Sequence, residues 1–259
     1  MIDWKIVGAS VTGFSHVAEG QPCQDYLVAS CVGQGWLVGI VSDGAGSASR
    51  GADGSRAICE GLLRHLVDYL VEFEQAHRER PVDELEMRQA LIEGIECTRA
   101  CLENDPTAGS LSDFHATVIG VVAGPHGGFL FHIGDGAGCA TNANSFSPTI
   151  MSQAENGDYA NETFFFTQVD WQDHLRLTRF DKECDLIVLM SDGVSPFALG
   201  PGGREPYAPF LKPLSEYFKT NSREQGVRAL AATLEKDDIR PITGDDKTLL
   251  WALRVLLDG

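Results

Sequence analysis

The spacing of apolar positions changes character several times along the chain. Residues 4–12 and 27–43 read as strands, and Trp36-Leu37-Val38-Gly39-Ile40-Val41 is apolar enough to be buried on both faces. The period then lengthens. Ile58, Leu62, Leu66, Tyr69 or Leu70, and Phe73 recur at steps of three and four, which predicts a long helix. Arg80-Pro81-Val82-Asp83 breaks it, and Asp83 is placed to cap a second helix with Met87, Leu91, Ile95, Thr98 and Leu102 on one face. Asn104-Asp105-Pro106 closes that helix. Cys97 and Cys101, four apart in the same pattern, are expected to be buried thiols.

Residues 115–123 and 128–134 are β-like runs around Gly124-Pro125-His126-Gly127, a hairpin signal. The stretch 137–181 is mixed, with short strand-like pieces such as Thr163-Phe164-Phe165-Phe166-Thr167. Residues 185–191 read as another buried strand. Pro196, Pro201, Pro206, Pro209 and Pro213, with Gly200, Gly202 and Gly203, make 195–213 an irregular loop. A third helix is expected over about 222–236, and a final strand over 248–256. This order lacks a regular βαβ alternation, which disfavours a doubly wound parallel sheet. It fits a single α+β domain over residues 1–259, with sheets packed between helices.

Charge narrows the function. There are 37 acidic and 20 basic residues, a formal net charge of −17. Such a chain is a poor partner for nucleic acid or an anionic membrane and a good one for cations. The apolar runs are strand-sized, short of the ~18 residues of a spanning helix, and the N-terminus lacks a basic-then-apolar leader, so a cytoplasmic location is expected. The seven cysteines form no Cys-x-x-Cys pair, which disfavours a zinc knuckle or thioredoxin-like centre.

Three acids share one local context. Asp43, Asp135 and Asp192 each follow an apolar strand and one small residue, and each precedes glycine. Asp25 lies just before the strand starting at residue 27, and Asp245-Asp246 just before the last strand. Any one Asp-Gly alone reads as turn chemistry. Five acidic sites at strand ends can be brought together by one fold, where they would repel one another and require cations. Oxygen ligands without His or Cys suit magnesium or manganese. Phosphate-ester hydrolysis is the reaction such a site serves best, because metals neutralise the phosphate and activate water.

Rival chemistries lack their residues. No cysteine has an arginine six positions on, and there is no Asp-x-Asp, Gly-x-Ser-x-Gly, His-Glu-x-x-His or Gly-x-x-x-x-Gly-Lys-Ser/Thr. Gly44-Ala45-Gly46-Ser47 offers amides to an anion only as a weak signal, and reads more readily as a helix entry. His132 reads as a core histidine, Phe164-Phe165-Phe166 as a flap or sheet packing element rather than a ligand cage, and the acids from Glu72 to Glu86 as a solvated helical face.

The series Gln24-Asp25, Val41-Ser42-Asp43-Gly44-Ala45-Gly46, Phe114-His115-Ala116-Thr117-Val118, Ile133-Gly134-Asp135-Gly136, Met190-Ser191-Asp192-Gly193 and Asp245-Asp246-Lys247-Thr248 resembles the metal-dependent serine/threonine phosphatases of the PP2C (PPM) family. Gly13-Phe14-Ser15-His16, Pro22-Cys23-Gln24-Asp25 and Gly157-Asp158-Tyr159-Ala160-Asn161 resemble its compact bacterial branch, which occurs beside protein kinases and von Willebrand factor A-domain proteins. The resemblance implies a sandwich of two antiparallel β-sheets flanked by helices. It implies hydrolysis of phosphoserine and phosphothreonine in proteins by water activated on two Mn²⁺ or Mg²⁺ ions, with a third weaker ion. Asp43 is then the bridging ligand, the Gly44 carbonyl binds one ion, Asp192 and Asp245 hold the other side, Asp25 meets metal-bound water, and Asp135 serves the third ion. Asp43 and Asp192 carry catalysis through that water. The family motif puts the ligand three residues before the threonine, at Asp245, so Asp246→Asn is expected to be mild.

Three positions depart from the family pattern. Gln24 replaces a common Glu, Ala45 a His proposed as general acid, and Gly20 a phosphate-binding Arg. His16 is the candidate for contacting phosphate or water in its place, with Arg50 the less favoured one. These departures leave a second reading, a pseudophosphatase that keeps the fold as a metal-binding docking module.

Overall fold

The computed structural model describes residues 2–77, 80–107, 109–152, 154 and 163–256. Among these described residues, ten strands are arranged in two five-stranded sheets, antiparallel at every pairing. The first sheet contains β1 (Ile2–Val11), β10 (Lys247–Leu256), β9 (Leu186–Met190), β6 (Ala137–Thr141) and β7 (Thr149–Ser152), in that order. The second contains β2 (Tyr26–Val32), β3 (Trp36–Ser42), β4 (Val118–Gly124), β5 (Gly127–Ile133) and β8 (Arg176–Asp181).

The continuous apolar runs follow from three stacked layers. In β3, Leu37 and Val41 face the space between the sheets, while Val38 and Ile40 face the helices α2 (Gly51–Ala76) and α3 (Glu84–Glu103). In β9, Ile187 and Leu189 face between the sheets, whereas Leu186, Val188 and Met190 pack with residues of α5 (Ala208–Thr220) and α6 (Arg223–Leu234). Both faces are buried, so period-two alternation of polarity disappears. The fold is the expected α+β sandwich, with helices outside both sheets. No helix among the described residues is long and apolar enough to cross a membrane.

Most element expectations agree with the structure. Asp83 caps α3 through a capping box, accepting from the Leu85 amide at 2.9 Å while Glu86 reaches back to the Asp83 amide. The run 27–43 resolves into β2 and β3 around a turn. His132 is fully buried and lies 3.1 Å from the Ser152 hydroxyl.

Three expectations are corrected. Cys97 and Cys101 are exposed: at about 100° per residue they fall on the flank of α3, about 90° or more round from the centre of the face through which Ile95, Thr98 and Leu102 meet the core. Residues 163–167 form no strand; Phe166 is buried, while Phe164 stacks on His174 and Phe165 on His115. The proline-rich stretch 195–213 contains the short α4 (Ser195–Ala198) and the start of α5. Pro209 sits in the first turn of α5, where its missing N–H costs nothing. Burial of Leu211, Ser215 and Phe218 holds the helix despite Pro213 within it. The segment 157–161 lies outside the described residues.

Candidate active site

Because neighbouring strands are antiparallel, β3, β5 and β9 end where β2 and β10 begin. The pairs Tyr26–Ser42, Val118–Ile133 and Leu249–Met190 all lie at this end of the sandwich. Asp25, Asp43 and Asp135 therefore come from one sheet, and Asp192 and Asp245 from the other. Asp43, Asp135, Asp192 and Asp245 line one cleft of about 450 Å³, with His16, Gly44, Ala45, Gly46, Ser47, Thr117, Thr163 and Phe165. Asp25 lies beneath it, 5% exposed.

Each turn is pinned locally. Thr117 exchanges bonds with Asp43: its amide donates to the Asp43 carbonyl at 2.8 Å, and its hydroxyl accepts from the Asp43 amide at 3.1 Å. The Gly44 amide donates to the Gln24 carbonyl at 3.1 Å. A Cβ on Gly44 would lie 2.4 Å from the Gly51 backbone, so only glycine fits where this turn meets the start of α2. Likewise a Cβ on Gly193 would lie 1.9 Å from the Asp246 carbonyl oxygen. The Thr163 hydroxyl donates to Asp135 Oδ2 at 2.5 Å.

Asp43, Asp135 and Asp192 each offer a carboxylate oxygen, and these three atoms lie within 4.8 Å of one another. Among the described residues, no lysine or arginine lines the cleft. Burial raises the Asp25 carboxyl to about 7, Asp246 and Asp192 adding to the rise while the hydrogen bond from Ser191 and the nearby Thr248 hydroxyl oppose it. Burial, then the charge of Asp25 and Asp192, raises Asp43 well above the ordinary carboxylate range. Burial, then Asp135 and Asp245, raises Asp192 to about 6. All three shifts report carboxylates that lack countercharge. Asp25 Oδ1, Asp192 Oδ1 and the Gln24 side-chain oxygen are buried without a hydrogen-bond partner. Unpartnered buried oxygens around an acidic cluster are the environment a hard divalent cation completes, so the donor set fits the ions that the sequence implies.

Asp246 behaves differently from its neighbour. Its side chain is 1% exposed; Oδ1 accepts from the Gly13 amide and Oδ2 from the Gln24 amide, both at 2.6 Å. His16 Nδ1 lies 2.9 Å from Oδ1. The strand register thus separates Asp245, in the cleft, from Asp246, in the wall. An asparagine would present an acceptor to one of the two amides and a donor to the other, so Asp246→Asn is not the mild change the sequence suggests.

His16 lines the cleft, and its pKa is raised: burial opposes the rise, but Asp246, Asp245 and Glu19 outweigh it. Arg50 points elsewhere, with Nε 2.8 Å from Asp53, Nη1 2.8 Å from Asp105, and its guanidinium over Phe114. Sequence reasoning missed Ser191, Thr117 and Thr163 as partners of the acids. Only Ser191 carried a local signal, as the small residue before Asp-Gly. Phe165 reaches the cleft wall from the 163–167 run, in keeping with the flap reading of that run rather than the packing one.

Comparison with known proteins agrees with this geometry. The family model described as protein phosphatase 2C matches residues 12–235. Serine/threonine-protein phosphatase 3 of Escherichia coli (strain K12) is 28% identical over 263 aligned residues, covering 97% of this chain and 99% of that protein. The serine/threonine phosphatase Stp1 from Staphylococcus aureus shares the fold, with a TM-score of 0.61 at 14% identity over 98% of this chain and 95% of that one. The PP2C phosphatase domain of SpoIIE from Bacillus subtilis superposes with a TM-score of 0.57 at 15% identity over 97% of this chain and 63% of that one. Family and relative alike indicate a protein serine/threonine phosphatase, in a family whose members depend on metal. Two antiparallel sheets, an acidic cleft at their shared end and a family model spanning most of the sequence lead to one assignment: this chain belongs to the protein phosphatase 2C family.

Proposed function

We propose that the cleft hydrolyses phosphoserine and phosphothreonine in proteins with two Mn²⁺ or Mg²⁺ ions, and that a third, weaker ion sits near Asp135. The observation that carries this reading is the Asp43–Asp135–Asp192 cluster, with ligand oxygens within 4.8 Å and no lysine or arginine among the described residues that line the cleft. Asp43, the Gly44 carbonyl, Asp192, Asp245 and Asp135 would hold the ions, with Asp25 behind them. Bound ions supply charge to neutralise a phosphate dianion and acidity to activate water.

The chain's own groups do the remaining work. Asp246 lies beside His16 Nδ1 and, with Asp245 and Glu19, favours the imidazolium, whose Nε2–H can donate to a phosphate oxygen. This gives His16 the task that Gly20 leaves open. The Thr163 hydroxyl holds the Asp135 carboxylate and Thr117 pins the Asp43 backbone, so little reorganisation accompanies binding. Phe165, held against His115 with ring centroids 4.8 Å apart, supplies an apolar wall beside the acids.

The pseudophosphatase reading is not favoured, since a scaffold gains nothing from mutually repelling, unpartnered carboxylates. The single-domain organisation over 1–259, a cytoplasmic location, a cognate serine/threonine kinase and a von Willebrand factor A-domain partner complete the proposal. Resemblance to the compact bacterial branch supports the two partners.

The test follows hydrolysis of a phosphothreonine peptide and a small aryl phosphate in parallel. Chelation is expected to abolish both, Mn²⁺ to restore both, and thiol alkylation of the native protein to leave both largely intact. Metal-independent turnover would refute the proposal. His16→Gln is expected to raise KM for the peptide with a smaller change in kcat.

A further inference from the structure

We propose that Ser191 is a positioning residue for metal binding: its hydroxyl holds Asp25 Oδ2 and so reserves Asp25 Oδ1 for the cation side of the cleft. The inference rests on the metal-dependent reading of the site. It starts from the direction of one proton. The Ser191 hydroxyl accepts from the Thr248 amide at 3.0 Å and donates to Asp25 Oδ2 at 2.7 Å. An amide N–H can only donate, so the single hydroxyl hydrogen is committed to Asp25. Thr248 is itself fixed: its carbonyl accepts from the Ser191 amide at 3.0 Å, and its hydroxyl donates to Ser10 at 2.7 Å.

Asp25 is therefore gripped on one oxygen only. The other, Oδ1, is buried and has no protein partner. A carboxylate left half-solvated in this way is costly unless a cation or its bound water completes it. The grip also spans the sandwich. Asp25 directly precedes β2 of one sheet, whereas Ser191 directly follows β9 and Thr248 lies in β10 of the other. Metal ligands from both sheets are thereby held in register before any ion arrives, which is the preorganisation that outer partners of a metal site supply.

The test measures Mn²⁺ binding by calorimetry on chelator-stripped protein, with thermal melting as a check on folding. Ser191→Ala is expected to weaken Mn²⁺ binding by ~10–100-fold, the usual effect of removing such a partner, while kcat at saturating Mn²⁺ stays within a few-fold of wild type. In an Asp25→Ala background the same substitution is expected to change Mn²⁺ affinity little, because its effect passes through Asp25. Ser191→Thr, which keeps the hydroxyl, is expected to restore most of the affinity. An unchanged Mn²⁺ affinity in Ser191→Ala would overturn the inference. So would an equal loss in the Asp25→Ala background, which would mean that Ser191 acts through its neighbour Asp192 or through general packing. Failure of the wild-type protein itself to bind Mn²⁺ would refute the metal reading instead, so the two failures are distinguishable.

Discussion

Two Ser-Asp-Gly turns close the same end of the sandwich, 42–44 on one sheet and 191–193 on the other, and their serines do different things. The Ser42 hydroxyl donates to the Thr117 carbonyl at 2.5 Å, within its own sheet. The Ser191 hydroxyl crosses to Asp25 on the facing sheet. Both aspartates enter the cleft, and both glycines are forced by a backbone in close contact. The tripeptide therefore specifies a sharp exit from a strand and an outward carboxylate. What the serine holds is decided by which strand lies opposite. Turn 42–44 is stitched into its sheet, and turn 191–193 ties the two sheets together.

The largest effect expected from this comparison is at Asp43. Asp43→Asn should cut turnover by about a hundredfold or more at saturating Mn²⁺, the scale of losing a charge-stabilising group. The metal-free protein should melt no lower, because one repelling charge is gone. Steady-state kinetics and thermal melting check the two halves; near-normal turnover would remove Asp43 from the ligand set.

Asp246 supplies the opposite pattern. Asp246→Asn should destabilise the fold by about 1–3 kcal/mol, since one buried amide loses its acceptor, and lower activity mainly through that loss. Asp245→Asn should leave the fold intact and raise the Mn²⁺ requirement. Chemical denaturation and metal titration of both variants would sharpen the division between wall and cleft, and interchanged outcomes would break it.

A smaller effect concerns pH. Asp25 and Asp192 are raised from 3.8 to about 7 and about 6 in the folded state. Between these limits the native protein holds more protons than the unfolded chain, so stability contributed by the protonated forms is present below about pH 4 and lost as pH rises towards 7. Metal-free protein should therefore melt at progressively lower temperature across that window, through these groups. Mn²⁺ should flatten the slope by replacing protons as the countercharge. A metal-free melting temperature that rises from pH 5 to pH 7 would contradict the clustered-acid account.

The smallest change is expected from Ser42→Ala, which removes one bond within a sheet. It should cost about 1 kcal/mol of stability and leave Mn²⁺ affinity unchanged, in contrast to Ser191→Ala. An equal effect of both on metal affinity would erase the distinction between the two turns.

Much of this protein is legible in its sequence, because its signals are local. Apolar runs broken by Asp-Gly placed β3, β5 and β9, helical spacing placed α2 and α3, and Asp83 marked its own cap. The acids at strand ends followed from the same reading, since a strand end fixes where the next residue emerges. The errors were also local in origin. Prolines outweighed the apolar face that keeps α5 helical, and the general burial of free cysteine put Cys97 and Cys101 in the core although the flank of α3 that carries them is exposed. Tertiary structure alone decided the pairings that make a site. It decided that Asp246 is gripped by two amides while Asp245 beside it faces the cleft, that Arg50 is spent on Asp53 and Asp105, and that Ser191 meets Asp25, 166 residues away. The physical reason is reach. Periodicity and turn chemistry act over a few residues, whereas a hydrogen bond between two sheets depends on how both have packed.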